Sequence, residues 1–212
     1  MKTGFVVLAA GAGRRMGGIA KCLIELNGVS LLERLLRQMQ VLREAVPHEL
    51  VLVLGHHAPD IQVRLAQWPA SIVPRWVVNP HPDDDTASSL RVGLRALGPE
   101  VQDVGVLLAD QPLIDSADVQ AAWQAFAARG PGIQVQVPMV DGQPGHPVML
   151  DAGVRAQLTA SSEISLRQWR AAHPQAVGGW SVDNPHYTRD LDTPQDLQAL
   201  ALEMGWAWRS PG

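Results

Sequence analysis

The chain has 212 residues, 46% of them hydrophobic, a formal net charge of -4 and a single cysteine. That is enough apolar material for the core of one α/β unit spanning residues 1–212, and it argues against an intrachain disulfide framework, broad nucleic-acid binding and adhesion to acidic membranes. No run of about 20 apolar residues marks a membrane span, and no secretory cleavage pattern follows the apolar run behind Lys2, so a cytoplasmic protein is expected.

The first predicted element is a strand over residues 4–10, GFVVLAA, which runs straight into a glycine-rich loop closing on Lys21. Gly11, Gly13, Gly17 and Gly18 can take positive φ and carry no Cβ, so the backbone can fold around an anion and aim N–H groups at it. With Arg14, Arg15 and Lys21 as local positive charge, the segment predicts a phosphate receptor. Other nucleotide loops do not fit. A Walker loop needs Lys after its last glycine, where Gly18 is followed by Ile19, and a dinucleotide loop needs a small residue where Met16 stands. A kinase loop would be accompanied downstream by a catalytic loop and an Asp-Phe-Gly motif, which the sequence lacks. The bland alternative is a surface turn without a ligand.

Leu31, Leu32, Leu35, Leu36, Met39 and Leu42 recur at helical spacing, and strands are predicted over 50–55 and 76–79. Helical spacing returns at Leu90, Leu94 and Leu97. Thr86, Ser88 and Ser89 open that helix, either as caps or as part of an amino end that meets a polar ligand. The acidic run Asp83, Asp84 and Asp85 points in alternating directions and reads as a solvated loop, His56 and His57 lack partners at zinc spacing, and Cys22 has no base beside it. A strand over 104–110 ends on Asp110. An ionised carboxylate behind a buried strand must face a ligand, a cation or water, which puts Asp110 at the mouth of a site; the alternative is a cap for the turn into Ser116 and the next helix. Mg²⁺ is commonly bound through one or two carboxylates plus substrate phosphates, a complement that Asp110 and the loop offer.

Beyond residue 131, a strand over 133–140, an Asp141-Gly142 turn and a returning strand with Gly145, His146 and Pro147 predict a projecting β-hairpin. His146 by itself favours a structural role. A helix over 162–172, a strand over 176–182 and a closing helix after Thr193 and Pro194 follow, with Asp196 favouring that helix's amino end and the tail packed through Trp206 or Trp208. Asp118 and Asp196 read as solvated or dipole-complementing charges. In RDLDTPQDL, Asp190 and Asp192 face the same way if extended, which suits a second metal contact, although Asp192 could instead serve only the last helix. Strands that are apolar throughout indicate burial on both faces, and the βαβα alternation predicts an α/β fold of three layers around a mainly parallel twisted sheet, with ligands outside the carboxyl ends of its strands.

Taken together, LAAGAGRRMG, Lys21, TASSLRVGL, ADQPLI, GHPVML and DLDTPQDL resemble, in order and over nearly the whole chain, the motifs of the MobA-like nucleotidyltransferases, and most of all their molybdenum cofactor cytidylyltransferase branch. The resemblance implies a glycosyltransferase-A-like fold, Mg²⁺ dependence, and transfer of CMP from CTP to molybdopterin with release of pyrophosphate, with a recipient molybdoenzyme or its chaperone as a further partner. It implies catalytic roles for Arg15, Lys21 and Asp110, and nucleotide contacts from Leu8, Ala9, Ala10, Gly11, Ala12, Gly13, Arg14, Arg15, Lys21, Ser88 and Ser89. It also implies metal ligation by Asp110 and Asp192 and acceptor contacts from Gly145, His146 and Asp190. Ala10 stands where the guanylyl branch usually has glycine, and favours CTP. The chain departs from the pattern at Ala12 and Gly13, where Ser is common before the arginine pair, and at Asp83 to Asp85, where small residues are usual. A guanylyl or sugar-phosphate nucleotidyltransferase would share these motifs. A non-catalytic nucleotide- or pterin-binding maturation factor would keep the loop but needs no paired carboxylates such as Asp110 and Asp192.

Overall fold

The computed structural model describes residues 2–83 and 86–211, the Thr86 side chain excepted, so that side chain and the Asp84 and Asp85 of the acidic run lie outside the described residues. In chain order the elements are β1 (Lys2–Ala9), β2 (Glu25–Leu26), β3 (Val29–Ser30), α1 (Leu31–Ala45), β4 (His48–Leu54), α2 (Ala58–Leu65), β5 (Arg75–Val78), α3 (Thr86–Ala96) and β6 (Val101–Leu108). They continue with α4 (Ser116–Ala127), β7 (Val135–Val140), β8 (Gln143–Pro144), β9 (Val148–Asp151), α5 (Ala152–Ala160), α6 (Leu166–Ala172), β10 (Val177–Ser181), α7 (Pro194–Met204) and β11 (Trp208–Arg209).

The main sheet runs β10, β7, β9, β6, β1, β4, β5, all parallel except β9, which opposes both of its neighbours. β11, β2 and β3 form a small antiparallel sheet. Alternation along β1 explains the layers. Phe5, Val7 and Ala9 pack with Leu36 and Met39 of α1, Ile61 of α2 and Phe126 of α4, whereas Val6 packs with Leu94 of α3, Val154 of α5 and Trp169 of α6. Burial on both faces is why the strand reads as an unbroken apolar run. A Cβ on Gly93 would come within 2.4 Å of Val6, so glycine lets α3 lie close on the sheet. A third cluster, with Met16, Leu31, Leu191 and Leu197, lies under the glycine loop.

The three-layer, mainly parallel sheet agrees with the sequence reading, and several details differ from it. The expected hairpin turns at Asp141 and Gly142, both at positive φ, but it does not project as a separate arm. The short β8 returns along β7, and the strand after His146 becomes β9, inserted in the main sheet between β7 and β6. The helix expected over 162–172 starts at Leu166, because Ser165 and Gln168 close a capping box there. Helices α2 and α5 escape the periodicity because each is short and buries few apolar side chains, Val154 and Leu158 in the case of α5. The tail packs through Trp206, which lies under the Arg34 guanidinium, while Trp208 stays exposed. Among the described residues no helix is long and apolar enough to cross a membrane.

Arg155 of α5 ends α3 from outside. Its guanidinium donates to the carbonyls of Leu94, Leu97, Gly98 and Val101 at 2.7 to 3.1 Å, meeting orphan acceptors at the helix end. Hydrogen bonds to a charged group contribute roughly 1.5–3 kcal/mol. Arg155→Met should therefore lower the unfolding free energy in urea by about 2–3 kcal/mol, while leaving the loop at the far end of β1 intact as judged by nucleotide binding.

Candidate active site

The glycine loop rises from the centre of the sheet, where β1 is flanked by β4 and β6. Gly13, Gly17 and Gly18 take φ of 62°, 79° and 78°, and a Cβ on Gly13 would lie 2.0 Å from the Ile19 carbonyl oxygen. The Gly13 carbonyl accepts from the Met16 and Gly18 N–H groups at 2.8 and 2.9 Å, tightening the loop. No α-helix follows. The chain makes a 3-10 turn, Arg14–Met16, and buries Met16 beneath it, so the long side chain that argued against a dinucleotide loop serves as the loop's anchor in the core.

Asp110 lies two residues beyond the end of β6, and the Leu191 N–H donates to the Asp110 carbonyl at 3.1 Å. Leu191 is fully buried, and its two neighbours are more exposed. Asp190 and Asp192 line, with Asp110, a cavity of about 350 Å³ whose wall also includes Leu8, Ala9, Ala10, Gly11, Arg15, Lys21 and Ser89. The Lys21 ammonium contacts the Asp110 carboxylate and lies 3.0 Å from Asp192 Oδ1, and Arg15 Nη2 lies 2.9 Å from Asp192 Oδ2. Burial works against the charge on Lys21, but the Asp110 and Asp192 carboxylates outweigh it and hold this lysine above its ordinary pKa. Asp190 is pushed up to about 6, first by burial and then by Asp110, with Asp192 adding and Gln111 and Lys21 opposing. Its Oδ1 is buried without a hydrogen-bond partner.

Both structural alternatives for these carboxylates are met by other residues. Thr193 and Asp196 close the capping box of α7, and Asp115 and Asp118 close that of α4, so neither Asp192 nor Asp110 is needed as a cap. A set of carboxylate oxygens gathered on one positive charge, with an unpartnered oxygen beside it, fits a hard divalent cation.

Other candidates are dispersed. Ser89 lines the cavity, and Ser88 and Ser89 accept from the Asn79 side-chain amide at 2.8 and 2.9 Å. Arg14, 80% exposed, turns away from the cavity to Asp83, and Ala12 and Gly13 shape the loop without lining it. Gly145 sits against the backbone of Tyr187, where a Cβ would come within 2.3 Å of the carbonyl oxygen, and it does not line the cavity that holds Asp110. His146 faces an adjoining cavity, its pKa lowered to about 4 mainly by burial. Burial pushes the Cys22 thiol up to about 12, which leaves it protonated. Asp118 is not a solvated charge. Its carboxylate takes hydrogen bonds from Asn184 and from the Asp115 N–H and pairs with His186. Asp115, Asp118 and His186 are close enough to hold an ion, but those bonds already occupy them.

Sequence reasoning missed Asn79 and Gln111. Asn79 is 3% exposed at the end of β5, and Gln111, also 3% exposed, donates to the Tyr187 carbonyl and ties the 184–192 segment to Asp110. For Asn79 the signal was a polar residue directly behind an apolar strand, much as for Asp110; Gln111 follows Asp110 in the sequence.

A family model described as the MobA-like NTP transferase domain matches residues 5–177. The chain belongs to that family. Its fold and relatives make it an enzyme of the nucleotidyltransferase kind. Relatives in the family carry different names. A nicotine blue oxidoreductase of Paenarthrobacter nicotinovorans is 29% identical, covering 92% of this chain and 94% of that one. A molybdenum cofactor guanylyltransferase of Shewanella sp. strain ANA-3 is 28% identical, covering 94% and 95%. Among solved structures, Rv0371c of Mycobacterium tuberculosis H37Rv superposes with a TM-score of 0.72 at 27% identity, covering 94% and 97%. The same mycobacterial protein is also known as a manganese complex, with a TM-score of 0.69 at 26% identity, covering 94% and 98%.

The folded pKa of Asp190 lies above its unfolded value of 3.8, so the fold disfavours the ionised form. Asp190→Asn should therefore raise the melting temperature of the metal-free protein most above pH 6, and the gain should shrink as pH falls from 6 toward 3.8, below which both states are protonated. Melting curves from pH 4 to 8 in the presence of a chelator check this.

Proposed function

We propose that this enzyme, as a single nucleotidyltransferase domain, transfers CMP from CTP to the terminal phosphate of molybdopterin with release of pyrophosphate, using Mg²⁺. The observation that carries the reading is Lys21 in contact with both Asp110 and Asp192 beside the glycine loop. A cation and paired carboxylates at a phosphate-shaped loop are the parts needed to hold a metal-bound triphosphate.

In this reading the loop N–H groups and Lys21 receive phosphate oxygens, and Arg15 grips two of them with its planar fork. Asp110 and Asp192 would hold the ion, with Asp190 beside them. Bound there, it would neutralise triphosphate charge and polarise the α-phosphate. An oxygen of the acceptor phosphate forms a bond to the α-phosphorus, the bond from that phosphorus to the bridging oxygen breaks, and pyrophosphate departs with the electron pair. No protein nucleophile is needed, and the protonated, buried Cys22 is unsuited to being one. Positioning and charge stabilisation do the work.

Ala10 supports cytidine. It lines the cavity beside Gly55 and stands where the guanylyl branch usually has glycine. Relatives named for the molybdenum cofactor support the acceptor, and the manganese complex of the mycobacterial relative supports a divalent ion. A nucleoside triphosphate substrate fits a cytoplasmic location, and the product would pass to a recipient molybdoenzyme or its chaperone.

Pyrophosphate release should be greatest with CTP when the four nucleoside triphosphates are compared in the presence of Mg²⁺ and molybdopterin. Release with GTP alone would replace the base assignment with the guanylyl one carried by the Shewanella relative. No release with any would leave a binding factor, or a redox role like the one named for the Paenarthrobacter relative. Asp110→Asn should lower the rate by at least ~100-fold, the scale of losing one electrostatic stabiliser, and near-normal turnover at saturating Mg²⁺ would remove Asp110 from the metal site.

A further inference from the structure

The catalytic cavity adjoins a larger one, of about 840 Å³, on the face of the sheet that carries α3, α5 and α6, and the two share Leu8 and Leu108. Its floor is apolar, formed by side chains such as Leu90, Val106 and Val148, and its far wall is α6, which presents Arg167 and Arg170. Neither arginine has a hydrogen-bond or ion-pair partner among the described residues. Arg170 is half-buried, and burial lowers its pKa. Several other partly buried arginines have partners: Arg155 has four carbonyls, Arg64 has Glu25, Arg129 has Asp103, and Arg34 has the Leu26 carbonyl and the Trp206 ring. Arg170 has lost hydration without receiving an anion, a cost that a bound anion would offset. Its position is fixed by the neighbouring Trp169, which is 1% exposed and bonded through Nε1 to Gln157 at 2.8 Å. His146, on the same cavity and held neutral, does not compete for an anion.

We propose that this groove is the acceptor subsite, taking a phosphate monoester whose apolar, ring-containing body lies over Leu90 and Val148 and whose second anionic group is gripped by Arg170 with Arg167. The proposal rests on the nucleotidyl-transfer reading. The terminal phosphate then points past Leu8 and Leu108 into the catalytic cavity, where its oxygen bonds to the α-phosphorus as pyrophosphate leaves. A guanidinium can both pair with the anion and stack on a conjugated ring, so lysine is a poor replacement. Arg170 is a positioning residue in this scheme, because it holds the end of the acceptor away from the reacting atoms.

Molybdopterin is the probe, its binding followed by pterin fluorescence and its turnover by pyrophosphate release. Arg170→Met should weaken molybdopterin binding and raise its KM by roughly 10- to 100-fold, the scale of losing a hydrogen-bonded charge, with the KM for CTP within twofold of wild type. Arg170→Lys should recover little, and Leu90→Trp, which fills the groove from its floor, should show the same split. Unchanged melting temperatures would confirm that the variants fold. Wild-type protein that fails to bind molybdopterin, variants that bind it normally, or an equal rise in both KM values would overturn the proposal. Binding that is lost in Arg170→Met while the wild type releases no pyrophosphate with any nucleotide supports the groove and defeats the transfer reading. Transfer that is insensitive to Arg170 does the reverse.

Discussion

The Lys21 ammonium, held between Asp110 and Asp192, is the contact on which the rest of the site depends. Carboxylates brought this close repel one another and are costly to desolvate, and a cation among them makes the arrangement tenable. Three separate stretches of chain converge to make it. β1 and β6 are parallel neighbours, with Leu8 opposite Leu108, so the glycine loop and Asp110 emerge at the same sheet edge. The Asp110 carbonyl then fixes Leu191, and its neighbours Asp190 and Asp192 line the same cavity as Lys21. Asp190 carries the unrelieved part of this strain, with a buried oxygen unpartnered and a raised pKa. Strain of this kind belongs to a site that expects more positive charge than the resting protein supplies.

The sheet divides the labour between its two faces. α1, α2 and α4 complete a close-packed core on one side, and Arg64 with Glu25 and Asp118 with His186 tie down the periphery there. The opposite side leaves a cavity between the sheet and α6 that continues into the catalytic one. A reaction joining two phosphate-bearing molecules needs two such spaces meeting at one edge. That relatives of similar fold and length are named a guanylyltransferase and an oxidoreductase is consistent with a shared scaffold whose chemistry is set by a few lining side chains.

Much of this was legible in the sequence because buried parallel strands and a glycine-rich phosphate loop leave strong local traces. β1, β4 and β6 read as apolar runs, Asp110 stood out as a charge placed where charge is costly, and Asp192 stood out by its spacing from Asp190 in DLDTPQDL. What escaped was nonlocal or weakly patterned. The insertion of β9 between β6 and β7 depends on pairing across 42 residues, from Val106 to Val148, which no local periodicity encodes. Arg14 was grouped with Arg15 because they adjoin, yet one 3-10 turn sends Arg14 to Asp83 and Arg15 to Asp192. Gly145 looked like a ligand contact and proves to be a packing requirement against Tyr187. Arg170 had no motif around it, and its isolation is visible only once α6 is docked against the sheet.

The most direct test of the account is Mn²⁺ binding to the nucleotide-free protein, followed by the loss of the free-ion EPR signal. If Asp110 and Asp192 form a cation site that Lys21 partly neutralises, Lys21→Met should bind Mn²⁺ at least ~10-fold more tightly than wild type, since removing a positive charge beside two carboxylates favours another cation. Adding Asp110→Asn to that variant should abolish the gain. Equal Mn²⁺ affinity in wild type and Lys21→Met, or a gain that survives Asp110→Asn, would contradict it.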